Sequence, residues 1–215
     1  MSRLIMPKKE NLSITSVDDP APYYYMPLLR YPYVKRMRMV LDLIRGNHFE
    51  RMLDIGYGSG IFFPELSRRC NHLFGVDIHR SGALVCDMMD HEEIRGNVGV
   101  ADVCDLPFAN ESFECVVCLS VLEFIEDLER AMGEIYRILS IGGIAVLGAP
   151  VLNRLTGIAY EKIIRHIKHE DQHKSDHRRI INASSDVFEI TEIQSFMRFV
   201  PLDYALFFCI SCRKC

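Results

Sequence analysis

The sequence predicts one doubly wound α/β domain with a seven-stranded, mostly parallel sheet whose last strand pair is antiparallel. Two observations carry this: short apolar runs alternate with helical patterns, and a glycine-rich junction joins the first run to the next helical stretch. Residues 1–20 are polar, include Pro7 and Pro20 and show no period, so they read as a mobile tail ahead of a domain spanning 21–215. From Tyr31 to Asn47, Val34, Met37, Val40, Leu41 and Ile44 recur at helical spacing and Gly46-Asn47 forms a stop, giving a helix that covers one sheet edge. Strands are expected near 50–55, 73–77, 97–101, 113–118 and 143–148, with helices near 60–70, 81–91 and 126–139, the alternation of right-handed parallel crossovers. Strands 187–196 and 203–213, linked through Pro201, close the sheet, and residues 151–185 form a long connection before them.

Composition bounds the function. The 215 residues are 49% hydrophobic, enough for one well-buried domain and short for two. A net charge of −4 lacks the basic footprint of a nucleic-acid enzyme. No apolar run approaches the roughly 18 residues of a membrane span, and the first residues lack the apolar core of a secretory signal, so a cytoplasmic protein without a membrane span is expected. Eight cysteines without a secreted-type framework fit reduced thiols.

Leu53-Asp54-Ile55-Gly56-Tyr57-Gly58-Ser59-Gly60 ends an apolar run in an acid and continues into three glycines spaced G-x-G-x-G. A glycine lets the backbone take positive φ and bring N–H groups against a ligand, so Gly56, Gly58 and Gly60 are candidate cofactor contacts. A dinucleotide fingerprint needs G-x-G-x-x-G, and Asp54 would repel a pyrophosphate; a cationic group suits the loop better. Further on, Leu73-Phe74-Gly75-Val76-Asp77 is a second apolar run ending in an acid, at the distance where doubly wound folds place a ribose-binding carboxylate. Taken singly, each block also reads as a plain turn or a helix cap.

Two more blocks complete the set. Gly99-Val100-Ala101-Asp102-Val103-Cys104-Asp105-Leu106-Pro107-Phe108 precedes the turn 109–112 and the run Phe113-Glu114-Cys115-Val116-Val117-Cys118. Then Glu134-Ile135-Tyr136-Arg137-Ile138-Leu139-Ser140-Ile141-Gly142-Gly143 leads into the apolar run Ile144 to Leu147. In this order and spacing the four blocks resemble the class I S-adenosylmethionine-dependent methyltransferases, most closely the small-molecule group with the ubiquinone/menaquinone-biosynthesis type of motif set, over about residues 30–215. The resemblance implies a Rossmann-like fold, S-adenosyl-L-methionine as cofactor and a small-molecule methyl acceptor. By the same resemblance Asp54 lies near the methionine amino group, Gly56 and Gly58 permit close approach, and Asp77 is bidentate on the ribose hydroxyls. Asp102 accepts from the adenine amino group, the Val103 N–H meets the adenine ring, Ile78 packs on its face, and the Leu119 carbonyl meets the methionine ammonium. The chain lacks the Pro-Pro-aromatic element of base-amino methyltransferases after strand 4 and any Pro-Cys pair, so two base-modifying classes lose support.

The acceptor side is less explicit. Glu123 stands one turn past strand 4, facing the sulfonium in this architecture, although an acid at a helix start is often only a dipole partner. The family often places a His next, where this chain has Phe124. His166, His169, His173 and His177 would share one face of a continuous helix, but their densely charged flanks and missing third-ligand motif favour a solvated face over a metal site. His173 is the base candidate, because His173-Lys174-Ser175-Asp176 resembles the polar turn entering the acceptor pocket in related enzymes, with a helix starting at Ser175. Tyr23-Tyr24-Tyr25 read equally as a lid or as packing. Cys209-x-x-Cys212-x-x-Cys215, on a strand whose side chains alternate faces, makes a poor chelate, and no metal is expected. The reading is a methyltransferase acting on a small molecule, oxygen favoured; the alternatives are a catalytically silent cofactor-binding partner protein and, least favoured, an NAD-dependent oxidoreductase.

Overall fold

A computed structural model describes residues 4–16, 19–27, 29–151, 173–197 and 199–215. Its centre is one sheet of seven strands, β1 (Phe49–Ile55), β2 (Cys70–Asp77), β3 (Asn97–Val100), β4 (Phe113–Leu119), β5 (Leu139–Pro150), β6 (Glu189–Ser195) and β7 (Phe207–Arg213). The order is β3-β2-β1-β4-β5-β7-β6. Neighbours from β3 through β5 are parallel, and β7 runs antiparallel to both β5 and β6, as the sequence predicts for the last pair. The central runs are continuously apolar because both faces are covered. Met52, Cys115, Val117, Val146 and Cys209 fill one core, and Leu53, Val116, Cys118, Leu147 and Cys212 fill the other. The two C-x-x-C pairs, Cys115/Cys118 and Cys209/Cys212, therefore straddle the sheet rather than converge.

Helix α1 (Arg30–Leu43) buries Val34, Met37 and Val40 and packs across β5, β7 and the 3-10 turn Ala21–Tyr25. The predicted 60–70 helix shrinks to the single buried turn α2 (Phe63–Leu66), because β2 begins at Cys70, earlier than the apolar pattern indicates. Helices α3 (Gly82–His91) and α4 (Leu128–Ile138) come next, the latter capped by Asp127, which accepts the Arg130 N–H at 3.0 Å. Helix α5 (His177–Ser185) starts two residues later than expected. Asp176 caps it by accepting the Arg179 N–H at 2.8 Å, and Ser175 instead donates its hydroxyl to the Ile125 carbonyl at 2.6 Å.

Where composition predicts a mobile N-terminal tail, the described residues 4–16 lie against the body. The Ile5 N–H donates to Glu65 at 2.7 Å, the Lys8 N–H and the Asn11 amide to Glu92 at 2.8 and 2.7 Å, and Ser81 Oγ to the Thr15 carbonyl at 3.1 Å. Acids on α2 and just past α3 thus satisfy the segment's donors, a tertiary effect that local polarity cannot register. No described helix is long and apolar enough to cross a membrane.

Candidate functional site

The C-terminal ends of β2, β1 and β4 lie side by side, and the chain crosses from one half of the sheet to the other between β1 and β4. Open α/β sheets bind ligands at that switch point. Gly56, Gly58 and Gly60 leave β1 there with φ of +77°, +54° and +72°. Their surroundings differ. A Cβ on Gly56 would stand 2.1 Å from Val121 Cγ2, and one on Gly60 would stand 2.7 Å from Met88 Cε and 2.9 Å from Val85 Cγ1. Packing against the next elements demands those two glycines. A Cβ on Gly58 would meet nothing within 4 Å. Gly58 therefore borders open space, which suits a residue over which a cofactor lies.

Asp77, at the end of β2, accepts the Gly58 N–H on Oδ2 at 2.9 Å and the His79 N–H on Oδ1 at 3.2 Å. Asp54 is 4% exposed. Burial, with the nearby Asp77 charge as the lesser cause, pushes its pKa up to about 8. A buried acid facing a second acid is the complement of a cation, so the pair fits an amino group and a ribose better than a pyrophosphate. Ile78 is 75% exposed beside Asp77, an apolar surface open to a flat ring. The exit of β3 is tied to the same point by the Ala101 N–H on the Asp77 carbonyl at 3.0 Å. Beyond it Asp102 is exposed and accepts the Cys104 N–H at 2.8 Å, while Val103 is buried. Leu119, half-buried, ends β4 in register with Gly148. The residues expected around a cofactor thus gather on the rims of β1, β2, β3 and β4. Asp77→Ala is expected to weaken S-adenosylhomocysteine binding by at least about 1.5 kcal/mol, since a ribose partner and a loop anchor vanish together. Titration calorimetry reads it, and unchanged binding removes Asp77 from the site.

At the tip of β4, Ser120 holds φ +60°, uncommon for a residue with a side chain. Its hydroxyl accepts from Arg36 Nη1 of α1 at 3.1 Å, and Arg36 Nε and Nη2 donate to the Tyr24 hydroxyl at 3.0 and 2.7 Å. Tyr24 is buried and Tyr23 stacks on Tyr33 at 5.5 Å, so the tyrosines pack rather than form a free flap. Glu123 is 2% exposed, and its Oε2 has no hydrogen-bond partner among the described residues. Burial pushes its pKa up to about 8 against the lowering influence of its own backbone and of Arg36. The Lys174 and Ser175 N–H groups donate to the Glu123 carbonyl at 2.8 and 3.1 Å. The His173 ring packs edge-on against Phe124 at 5.0 Å. The two acceptor-side candidates, Glu123 and His173, are therefore neighbours despite their separation in sequence.

Sequence reasoning missed Arg36 and Ser120, whose roles come from contacts between distant segments, and of its two readings of Tyr24 the packing one holds. It also misplaced His177. That residue is buried rather than solvent-facing, with Nε2 at 2.8 Å from Asp203 Oδ1, and it opens α5 while His173 lies outside the helix. His166 and His169 lie outside the described residues. Among the described residues no group of acids, histidines and cysteines is placed to hold a metal.

Comparison with known proteins agrees with this geometry. Residues 53–147 match the family model described as a methyltransferase domain. Malonyl-[acyl-carrier protein] O-methyltransferase of Chlorobium luteolum is 33% identical over 107 residues, covering 46% of this chain and 39% of that protein. The ubiquinone/menaquinone biosynthesis C-methyltransferase of Vibrio cholerae is 27% identical over 139 residues, covering 60% of this chain and 53% of that protein. The chain thus spans about half or less of the length of these two relatives. The solved structure of the N-methyltransferase NodS from Bradyrhizobium japonicum, in complex with S-adenosylhomocysteine, shares the fold with a TM-score of 0.69 at 18% identity, covering 93% of this chain and 94% of that one. With the glycine loop, the paired acids of β1 and β2 and the 3-2-1-4-5-7-6 sheet on the same chain, these matches support a class I S-adenosylmethionine-dependent methyltransferase.

Proposed function

We propose that the protein transfers a methyl group from S-adenosylmethionine to a small-molecule acceptor, with an oxygen nucleophile favoured, in the reducing setting of the cytoplasm. The observation that carries the oxygen preference is the buried Glu123 carboxyl at the tip of β4, its Oε2 without a partner among the described residues, beside His173. When bound, S-adenosylmethionine supplies a methyl group already activated on a sulfonium, so the protein has to hold an acceptor in line and receive its proton. Glu123, with a pKa of about 8, keeps its proton at neutral pH and can donate a hydrogen bond to an acceptor oxygen. His173 is then the base that receives the acceptor's proton. On the cofactor side Asp54 would hold the amino group, Asp77 the ribose, Ile78 and Val103 the adenine faces, and Asp102 the adenine edge. The Leu119 carbonyl would meet the ammonium. The net charge of −4 supports a small acceptor over nucleic acid, the relatives' names support transfer to oxygen or carbon, and eight free cysteines support the cytoplasm.

The test is methyl transfer from labelled S-adenosylmethionine to parallel sets of hydroxyl, phenol, carboxylate, amine and carbon acceptors. Products confined to amines or carbon would sink the oxygen preference, and binding of S-adenosylhomocysteine without any transfer would favour a silent partner protein. With an oxygen acceptor in hand, His173→Ala is expected to lower the rate by about a hundredfold or more at unchanged S-adenosylhomocysteine affinity. Glu123→Gln is expected to keep most activity at neutral pH and to erase only the inflection of the rate profile at about 8. An unaltered rate profile in both variants removes both residues from the chemistry.

A further inference from the structure

Of the three loop glycines, a Cβ on Gly56 or Gly60 would run into Val121 or into Met88 and Val85, whereas one on Gly58, at φ +54°, would meet nothing within 4 Å. Hydrogen bonds hold both polar groups of Gly58 instead. We propose that His79 is a positioning residue that pins the Gly58 peptide and so fixes the backbone donors the loop presents to the cofactor. The His79 ring, whose Nε2 also stands 3.7 Å from Asp77 Oδ2, makes two hydrogen bonds that define its tautomer. Nδ1 accepts the Ser81 N–H at 3.1 Å, so in the neutral ring the proton sits on Nε2, which donates to the Gly58 carbonyl at 2.9 Å. From the other side the Gly58 N–H donates to Asp77 Oδ2 at 2.9 Å, and the His79 N–H donates to Asp77 Oδ1 at 3.2 Å. Gly58, Asp77 and His79 thus form a closed ring of hydrogen bonds that grips both polar groups of one glycine. Both side chains are 13% exposed, and the His79 ring stands edge-on against Tyr57 at 5.0 Å and 84°. A loop held before the ligand arrives loses less conformational freedom on binding, so the clamp is expressed as affinity.

The inference rests on the proposed cofactor binding, and the experiment separates the two. His79→Gln retains a donor long enough for the Gly58 carbonyl, His79→Asn retains only an acceptor for the Ser81 N–H, and His79→Ala retains neither. S-adenosylhomocysteine affinity is measured by calorimetry, and amide hydrogen exchange of the ligand-free chain is tracked at residues 57–60 and in α3. The expected result is near wild-type affinity and loop exchange in the Gln variant. The Asn and Ala variants should both show affinity weaker by about tenfold and faster loop exchange, with α3 unchanged in Asn. A wild-type Asn variant beside an impaired Gln variant would overturn the proposal, because His79 would then serve only the start of α3. Loop exchange unchanged in all three variants would overturn it as well. Failure of the wild-type chain to take S-adenosylhomocysteine would defeat the cofactor reading, while the exchange comparison alone still decides whether His79 holds the loop.

Discussion

Gly58→Val is expected to abolish S-adenosylhomocysteine binding, by a factor of at least about one hundred, while the sheet remains folded. The valine Cβ meets no protein atom within 4 Å, so its bulk projects into the space the cofactor is expected to fill. A φ of +54° is also poorly tolerated by a β-branched residue, at a cost on the order of 1–3 kcal/mol that displaces the loop. The added Cβ meets no core atom within 4 Å, so the loop bears that strain. The neighbouring glycines provide the contrast. Gly56→Ala and Gly60→Ala drive a Cβ into Val121 or into Met88 and Val85, so they are expected to lower the melting temperature by several degrees before any effect on ligand is considered. Circular dichroism and calorimetry on the three variants distinguish the roles. A Gly58→Val variant that unfolds makes Gly58 structural, and one that binds normally ends the assignment of the loop.

The glycine loop and the two acids were legible because they answer to local rules. A glycine announces a backbone conformation, and an acid closing an apolar run announces a strand end in a doubly wound sheet. The centre of the sheet was legible for the same reason, as its central strands are buried on both faces and read as continuous apolar runs. The features that remained hidden depend on partners far apart in the chain. Arg36 bonds Ser120 across 84 positions and Lys8 bonds Glu92 across another 84, and no window of sequence contains either pair. His177 illustrates the same limit. Charged neighbours made it read as solvent-facing, yet Asp203, 26 residues later, gives its ring a partner and allows it to be buried. His79 was overlooked for a subtler reason. Its position two residues after Asp77 looks like a helix entry, and only the tautomer imposed by Ser81 shows that its second nitrogen serves Gly58. The glycine pattern thus marks a candidate cofactor loop, while the hydrogen bonds that hold the loop come from residues outside the pattern.

Asp54→Asn is expected to make the ligand-free protein more stable and its cofactor binding much weaker. The sign comes from the two protonation states. Asp54 titrates at about 8 in the folded chain against about 3.9 unfolded, so between those values the native state holds a proton that the unfolded state has released. The acid's contribution to stability therefore falls as pH rises from about 4 to about 8, and levels off above that. Asparagine does not ionise, so the variant's melting temperature should exceed the wild type's by a margin that grows across the same window. Binding runs the other way, because a ligand ammonium favours the carboxylate. Below about pH 8 the wild type must give up close to one proton when S-adenosylhomocysteine enters, and calorimetry in buffers of different ionisation enthalpy will count it. The release should vanish above about pH 9 and be absent at every pH in the variant. The variant's affinity should fall by about ten- to one-hundredfold, the loss of a charge-assisted hydrogen bond in a buried setting. Equal proton release and equal affinity in the two proteins would make Asp54 a buried strand residue with no part in binding. A variant that is both weaker-binding and more stable shows that the protein tolerates a buried acid at the end of β1 for the sake of the ligand it holds.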